Sequence, residues 1–348
     1  MNHNERGLGM KKKQVLLLDP IHISGTEILE RQFDVKKPTD GKEIPETWIR
    51  GASALVVRAT KMKDEVILAG EKVEVIGKHG IGVDNINVPL ATQRGILVVN
   101  TPEANVLSVA EHALTLMLAL VKRIVPGNDA LHAGKLAAQK GGIHQIAHSL
   151  GLLGGEISGK KVGILGMGKI GRELASRCKS VGMVVSGYDP WVKSDEVKCW
   201  GVERLYDHLG ELAREVDILS VHVPFNETTK NSINKSIFDL MKPGSWLINC
   251  SRGGIVDEAA LADAVKSGHL AGAGVDVFAT EPPGPDCPLL GMKGIILTPH
   301  AAGATQEALV RMAVTVAEEI STVLEGRKPR FMVNPEAWES RRALKGGA

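Results

Sequence analysis

Short apolar runs alternate with longer segments of mixed polarity and predict two groups of β-strands. The first group of predicted strands is Val15–Asp19, Ala54–Val57, Glu74–Gly77 and Ile96–Val99. The second group is Val162–Leu165, Val184–Tyr188, Ile218–Val221, Trp246–Asn249, Gly274–Val277 and Gly294–Leu297. Helical patterns lie between the strands, so we expect an α/β protein with two doubly wound parallel sheets.

Two of the intervening helices have distinct patterns. A helix from about Val109 to Lys122 is apolar on nearly every side, which predicts burial in a core or a subunit interface. The last helix runs from about Thr305 to Leu324 and is followed by a polar tail. The segment Ala133–Gly154 has weak periodicity and predicts irregular surface structure; within it, Gly141–Gly151 resembles an insertion.

Composition and charge exclude several classes of function. The length of 348 residues is sufficient for two domains. A net charge of +2 and 3% aromatic residues give no basis for binding nucleic acid. The apolar stretch Ala113–Val121 is shorter than the roughly 20 residues of a membrane span. The cysteines lack metal-binding spacing, and no apolar segment follows the basic N-terminus, so we expect a cytoplasmic protein without a metal site.

A glycine-rich turn follows the first strand of the second group. Its sequence is Gly166-Met167-Gly168-Lys169-Ile170-Gly171, and a helical pattern follows over Arg172–Val181. Strand, GxGxxG and helix together predict a site for the pyrophosphate of a dinucleotide at the helix N-terminus. Asp189 ends the next strand, 18 residues after Gly171, and is placed to bind ribose hydroxyls. A carboxylate there repels a 2′-phosphate, so we expect NAD as cofactor rather than NADP.

Three residues at predicted strand ends offer the groups needed to oxidise a small 2-hydroxy acid. Arg252 can hold a carboxylate, His300 can take the hydroxyl proton, and Glu281 can orient the histidine and stabilise its charged form. Their spacing alone leaves other interpretations open, because an arginine between glycines can simply cap a turn and a single histidine is often a surface or core residue.

The motifs together resemble the D-isomer-specific 2-hydroxyacid dehydrogenases, and within that family the branch acting on 3-phosphoglycerate. The resemblance covers about Val15 to Asn334. Besides the GxGxxG, the matching motifs in order are Gly80-Ile81-Gly82-Val83-Asp84-Asn85, Asn100-Thr101-Pro102, Val221-His222-Val223-Pro224, Asn249-Cys250-Ser251-Arg252-Gly253-Gly254, Gly274-Val275-Asp276-Val277-Phe278, Glu281-Pro282-Pro283 and Thr298-Pro299-His300.

The resemblance implies a split architecture. A flavodoxin-like substrate-binding domain would be built from residues 1–108 and 303–348, and a Rossmann NAD-binding domain from residues 109–302. It also implies a homodimer, with the apolar helix from Val109 as part of its interface. The sequence ends soon after the last helix, so we expect no regulatory C-terminal domain.

The resemblance also assigns roles to individual residues. It implies that Arg252 binds the substrate, that His300 is the acid/base, and that Glu281 raises the pKa of His300. It implies a loop at Gly80 and Gly82 whose backbone N–H groups face the substrate carboxylate. The cofactor-contacting positions that it implies are Lys169, Ile170, Asp189, Val223, Cys250, Asp276 and Gly303.

For both the substrate and the class of function, the sequence leaves alternatives open. Arg58 and Lys61 lie in a segment resembling the loop that binds the anionic end of 3-phosphoglycerate, although they could equally be solvated surface charges. We therefore rank 3-phosphoglycerate, at the start of serine synthesis, before glyoxylate or hydroxypyruvate and before sulfolactate. Phosphite oxidation and an NAD-responsive scaffold like the C-terminal binding protein corepressors are the other interpretations.

Overall fold

The computed structural model describes residues 12–38, 44–137 and 139–342. They form two compact units, each built on one parallel sheet. The split unit is drawn from residues 1–105 and 305–348, and the inserted unit comprises residues 106–304. The inserted unit interrupts the split unit in sequence, so the final long helix returns to the fold in which the chain began.

The strands of the split unit are β1 (Gln14–Leu17), β2 (Asp34–Lys36), β3 (Ala52–Val57), β4 (Val75–Lys78) and β5 (Leu97–Val99). Those of the inserted unit are β6 (Lys161–Leu165), β7 (Val184–Tyr188), β8 (Arg204–Tyr206), β9 (Ile218–Val221), β10 (Ser245–Asn249), β11 (Leu270–Val275) and β12 (Ile295–Leu297).

The helices, in chain order, are α1 (Ile23–Gln32), α2 (Glu46–Gly51), α3 (Asp64–Ala69), α4 (Val88–Gln93), α5 (Val106–Val121), α6 (Ile124–His132), α7 (Ile143–Ser149), α8 (Lys169–Ser180), α9 (Ser194–Val197), α10 (Leu209–Glu215), α11 (Lys235–Leu240), α12 (Glu258–Lys266), α13 (Gln306–Leu324) and α14 (Ala337–Ser340). A 3₁₀ turn, Lys198–Trp200, follows α9.

Both sheets have the strand orders of doubly wound folds, as predicted. The split unit has the order β2-β1-β3-β4-β5, which is the flavodoxin-like order. The inserted unit has the order β12-β11-β10-β9-β6-β7-β8, with β6 paired to both β7 and β9. The strand order reverses between β6 and β9, and ligands of such sheets bind beyond the carboxyl ends of the strands at this switch point.

The split unit covers both faces of its sheet with helices. On one face, α1 and α13 bury Leu29, Val316 and Ile320 against the strands, and on the other face α3 buries Ile67. Burial of each such side chain contributes about 1.5–3 kcal/mol. Gly77 in β4 lies directly under α13, since a Cβ atom there would stand 2.5 Å from Cδ1 of Ile320.

The inserted unit packs α5 and α8 on one face of its sheet and α10, α11 and α12 on the other. Helix α5 is less completely buried than its composition predicts. Leu116 and Met117 face the core, whereas Leu114 and Leu118 are half-buried and Leu107 is exposed. One broad face of α5 therefore serves the core of its own unit, Leu114 and Leu118 pack partly against that core, and Leu107 remains exposed.

The structure differs from the sequence prediction in several elements, of which β2, β8 and α7 are the clearest. Strands β2 and β8 were not predicted; each is a three-residue edge strand with an exposed first residue, and so lacks an apolar run. Helix α7 lies in the segment predicted to be irregular, where Gln145 accepts a hydrogen bond from the N–H of Gly142. Only Ile146 of α7 is buried, and one buried position gives no detectable period.

Candidate active site

The turn between β6 and α8 has the steric features of a dinucleotide-binding turn. Gly166 has a φ of +94°, and a Cβ atom there would stand 2.5 Å from the carbonyl oxygen of His222. A Cβ atom on Gly171 would stand 2.0 Å from the carbonyl oxygen of Gly166, so only glycine permits this contact between helix and strand. Gly168, by contrast, faces open space, with nothing within 4 Å of its Cβ position.

This turn leaves a cradle that suits a pyrophosphate. Gly168 is the N-cap of α8 and supplies no side chain to bond the first-turn N–H groups. An anion above the open face of Gly168 would therefore meet N–H donors and the positive end of the helix dipole. Lys169 opens the helix from an exposed position, and Ile170 packs partly against the core. The residues present therefore fit a bound dinucleotide.

Asp189 lies at the end of β7, beside this turn. Its Oδ2 accepts a hydrogen bond from the N–H of Met167 at 2.8 Å, and its Oδ1 accepts one from the N–H of Trp191 at 2.9 Å. Two backbone bonds fix the orientation of the carboxylate, and each oxygen keeps a second lone pair for a ribose hydroxyl. Asp189 thus lies beside the glycine turn, and its contact with a ribose stays a prediction.

The other predicted cofactor positions lie at neighbouring strand ends. Val223 follows β9, and its Cγ1 lies 2.8 Å from the position of a Cβ atom on Gly166, so these two residues border the same turn. Cys250 follows β10 and is buried, which raises the pKa of its thiol above the ordinary value. Gly303 is half-buried in the turn after β12. Their contacts with a cofactor remain predictions.

His300 and Glu281 form a direct pair in the inserted unit. The Nδ1 atom of His300 lies 2.7 Å from Oε2 of Glu281, and Oε1 of Glu281 accepts a hydrogen bond from the N–H of Phe278 at 3.0 Å. A carboxylate at Nδ1 holds the proton on that nitrogen, so Nε2 is the atom placed to exchange protons with a substrate. About half of the His300 side chain is exposed (49%), so a reactant can reach it.

The charge state of Glu281 follows from its contacts. Burial by itself raises the pKa of the Glu281 carboxyl, but the hydrogen bonds from His300 and Phe278 and the positive charges of His300 and Arg252 lower the pKa below its ordinary value overall. Glu281 is therefore a carboxylate across the neutral range. The stability that this pairing gives the fold is present above the ordinary pKa of glutamate and is lost as the pH falls.

The turn that carries His300 is held by a buried acid. His300 has a φ of +51°, a conformation that needs support from its surroundings. Asp276 is fully buried and accepts hydrogen bonds from the N–H groups of Ala301 and Ala302, both at 2.9 Å, and from the hydroxyl of Thr298 at 2.5 Å. The contact of Asp276 with the cofactor stays a prediction, whereas its hydrogen bonds to the turn that carries His300 are an additional role visible in the structure.

A contact that supports the Asp276 site was not predicted from the sequence. The Nε2 atom of His112, on α5, lies 3.0 Å from the hydroxyl of Thr298. Because that hydroxyl donates its proton to Asp276, it accepts from the His112 ring. Residues 186 positions apart in sequence thus meet behind the His300 turn, and no local pattern signals such a contact.

Arg252 stands in the turn after β10, and its backbone is fixed by Asn249. The side chain of Asn249 donates to the carbonyl oxygen of Arg252 at 3.1 Å and accepts from the N–H of Ser251 at 3.1 Å. The next residue, Gly253, touches the segment after β11, because a Cβ atom there would stand 1.7 Å from the carbonyl oxygen of Phe278. At this close approach, the positive charge of Arg252 helps to lower the pKa of the Glu281 carboxyl.

The remaining predicted site residues belong to the split unit. Gly80 has a φ of +137°, and its N–H donates to the hydroxyl of Thr101 at 3.0 Å. Gly82 is half-buried in the same loop after β4. Arg58 and Lys61 follow β3, the former half-buried and the latter exposed. All four follow carboxyl ends of adjacent strands of one parallel sheet.

Within residues 12–38, 44–137 and 139–342, no group of three or more His, Cys, Asp or Glu side chains is arranged to hold a metal ion. The helices in that part of the chain are all too short or too polar to cross a bilayer.

Known proteins resemble this chain in both sequence and fold. Residues 114–302 match the model of the D-isomer specific 2-hydroxyacid dehydrogenase family, NAD binding domain. D-3-phosphoglycerate dehydrogenase of Methanocaldococcus jannaschii is 39% identical over 323 residues, which are 92% of this chain and 59% of that protein. The enzyme of the same name from Sus scrofa is 38% identical over 331 residues, 94% of this chain and 60% of that one. The chain thus spans about three-fifths of the length of these curated relatives.

Solved structures match over nearly their whole length. A protein from Thermus thermophilus superposes with a TM-score of 0.80 at 30% identity, covering 92% of this chain and 99% of the other. An NADPH-dependent glyoxylate/hydroxypyruvate reductase from Sinorhizobium meliloti, in complex with NADP and malonate, gives a TM-score of 0.81 at 26% identity over 95% and 99% of the chains. The matched family model covers the glycine turn, Asp189 and the His300–Glu281 pair, and this chain belongs to the D-isomer specific 2-hydroxyacid dehydrogenase family.

Proposed function

We propose that the protein is an NAD-dependent dehydrogenase that acts on the CH–OH group at C2 of a small anionic 2-hydroxy acid. The observation that carries this proposal is the His300–Glu281 pair at 2.7 Å. The pair lies beyond the carboxyl ends of β11 and β12. In the same sheet, β6 ends at the glycine turn and β7 ends at Asp189. One sheet edge thus offers both a dinucleotide cradle and a proton acceptor.

Arg252, His300 and Glu281 each have one role in this reaction. The guanidinium of Arg252 pairs with the substrate carboxylate and orients C2. In the oxidative direction, Nε2 of His300 takes the proton of the hydroxyl group, and Glu281 stabilises the imidazolium that results. In the reverse direction His300 returns that proton to the oxygen of the 2-oxo acid. The nicotinamide ring, when bound, accepts or supplies the hydride of C2.

We propose 3-phosphoglycerate as the substrate, with the inserted unit binding NAD and the split unit contributing substrate-binding residues. Curated relatives that cover most of this chain bear the name D-3-phosphoglycerate dehydrogenase, and Arg58 and Lys61 supply two cations for a phosphate. A second candidate is the reduction of glyoxylate or hydroxypyruvate, which the likeness to the Sinorhizobium meliloti reductase supports. The preference for NAD over NADP rests on the charge of Asp189 at the ribose position.

The test is a panel of acids assayed by the absorbance of NADH with purified protein. The panel holds 3-phosphoglycerate, D-glycerate, D-lactate, sulfolactate and phosphite with NAD or NADP, and hydroxypyruvate and glyoxylate in the reverse direction. We expect 3-phosphoglycerate with NAD to give the highest kcat/KM. A higher kcat/KM for hydroxypyruvate or glyoxylate would favour the second candidate, and lack of turnover with every acid would contradict the proposal.

Replacing Glu281 with glutamine is expected to move the pH dependence of kcat/KM. The amide keeps a hydrogen bond but removes the negative charge 2.7 Å from Nδ1 of His300, so protonation of the imidazole becomes less favourable. The pH–rate profile of this variant should therefore move toward lower pH than that of the wild-type protein. The measurement is a pH–rate profile, with Glu227→Gln as the control because Glu227 is exposed in the same unit. Identical profiles for both variants would remove Glu281 from this role.

We also propose a cytoplasmic homodimer. The free thiols of all four cysteines suit a reducing compartment. Exposed apolar side chains cluster in sequence along α5, α6 and α7 and the segment after them, and they suit a second copy of this chain. These side chains are Leu107, Ile124, Val125, Leu131, Ile143 and Leu153.

The Leu131→Glu variant is expected to shift the protein from dimer to monomer, because it places a charge in an apolar interface. Sedimentation velocity at several protein concentrations measures this shift. Leu68→Glu is the matched control, since Leu68 is also an exposed leucine but lies on α3 of the split unit. A monomeric wild-type protein, or the same sedimentation for both variants, would contradict the proposed interface.

A further inference from the structure

The loop after β3 in the split unit is held from one side by an acid. Asp19 follows β1, and its Oδ2 accepts hydrogen bonds from the N–H of Arg58 at 2.6 Å and from the N–H of Thr60 at 3.2 Å. Its Oδ1 accepts the hydroxyl of Thr60 at 2.6 Å. One carboxylate therefore fixes two backbone donors and one side chain of a three-residue segment.

The same loop is held from the other side by a buried lysine and an asparagine. Lys78 ends β4 with only 8% of its surface exposed, and its ammonium donates to the carbonyl oxygen of Arg58 at 2.5 Å and to Oδ1 of Asn85 at 2.8 Å. The side-chain amide of Asn85 donates to the carbonyl oxygen of Thr60 at 2.8 Å, and the backbone carbonyl of Asn85 accepts the N–H of Met62 at 2.9 Å.

Side chains from outside the loop fix its backbone. The N–H and C=O groups of Arg58 and Thr60 are all bonded to side chains of Asp19, Lys78 or Asn85, which come from three other positions in the split unit. Burial of an ammonium group costs free energy that a simple turn avoids. Such an arrangement reduces the conformational freedom of the loop before any ligand binds, and preorganisation of this kind raises affinity.

The segment from Arg58 to Thr60 carries one cationic side chain at its start, Arg58, and is followed directly by a second, Lys61. Fixing the backbone from Arg58 to Thr60 limits the positions that both cations can reach. We infer that Asp19, Lys78 and Asn85 are positioning residues that set the affinity for substrates with a second anionic group besides the C1 carboxylate. This inference rests on the proposed function, in which the split unit contributes substrate-binding residues.

The test compares one phosphorylated acid with its unphosphorylated counterpart. In Lys78→Met and in Asp19→Asn, we expect the KM for 3-phosphoglycerate to rise about tenfold, since each loses hydrogen bonds made by a charged group. The kcat/KM for D-glycerate, which has no phosphate, should change by less than about twofold. Lys78→Arg should restore much of the selectivity because it keeps a cationic donor. Lys72→Met removes an exposed lysine of the same unit and is the matched control.

The outcomes separate positioning from folding. Equal losses with 3-phosphoglycerate and D-glycerate would indicate a purely structural role and overturn the inference, as would a variant that behaves like Lys72→Met. Either result leaves the dehydrogenase proposal intact. If the wild-type protein turns over no acid, the proposed function fails, and calorimetric binding of 3-phosphoglycerate in the presence of NADH then decides. A weaker affinity in Lys78→Met than in Lys72→Met supports the inference, and equal affinities or no binding overturn it.

Discussion

Replacing His300 with alanine is expected to lower kcat by about two to four orders of magnitude while NADH binding is retained. His300 is the proton acceptor in the proposed reaction, and its Nε2 atom is set for that role by the contact of Nδ1 with Glu281. The glycine turn and Asp189 are separate from this pair in the chain and keep their own hydrogen bonds. Steady-state kinetics and the fluorescence of bound NADH measure the two effects independently.

A second variant separates lost chemistry from a disturbed turn. His300 has a φ of +51°, a conformation that asparagine adopts more readily than alanine. His300→Asn should therefore keep the turn held by Asp276 and still lose the proton acceptor. The control is His208→Asn, since His208 is exposed in the same unit. A kcat for His300→Asn close to that of the wild-type protein would show that another group exchanges the proton.

The sheets could be predicted from the sequence mainly where strands are buried on both faces. The central strands β6, β9 and β10 are mostly apolar runs, and their predicted bounds agree with the structure to within one residue. The edge strands β2 and β8 lack such runs and depend on pairing with a neighbour. Pairing is a tertiary property, so a pattern along the chain does not predict it.

The candidate site shows the same division between local and long-range information. Gly166, Gly168 and Gly171 are recognisable because their roles depend on fixed spacing within one turn. The links from His112 to Thr298 and from Asp19 to Arg58 join residues 186 and 39 positions apart. They arise only when adjacent strands and helices place these side chains together, and the sequence contains no spacing rule for them.

The close packing of Gly253 against the backbone of Phe278 joins two segments that hold catalytic residues. A Cβ atom at this position would stand 1.7 Å from the oxygen and 2.0 Å from the carbon of the Phe278 carbonyl group. Both are backbone atoms, so a change of side-chain rotamer gives no relief, and the two segments must separate. One segment carries Arg252, and the other carries the N–H of Phe278 that binds Glu281. Overpacking of this kind costs about 1–3 kcal/mol of stability.

We therefore expect Gly253→Ala to lower kcat/KM by about two orders of magnitude, because a displacement of roughly 1 Å between catalytic groups has an effect of that size. Kinetics and thermal unfolding should be measured on Gly253→Ala and on Gly284→Ala, whose Cβ position has nothing within 4 Å. A fall in kcat/KM with NADH binding retained would place the defect between Arg252 and the His300–Glu281 pair. If the two variants behaved alike, the contact with Phe278 would be flexible enough to absorb a methyl group, and the spacing of Arg252 and Glu281 would have to be fixed by other contacts.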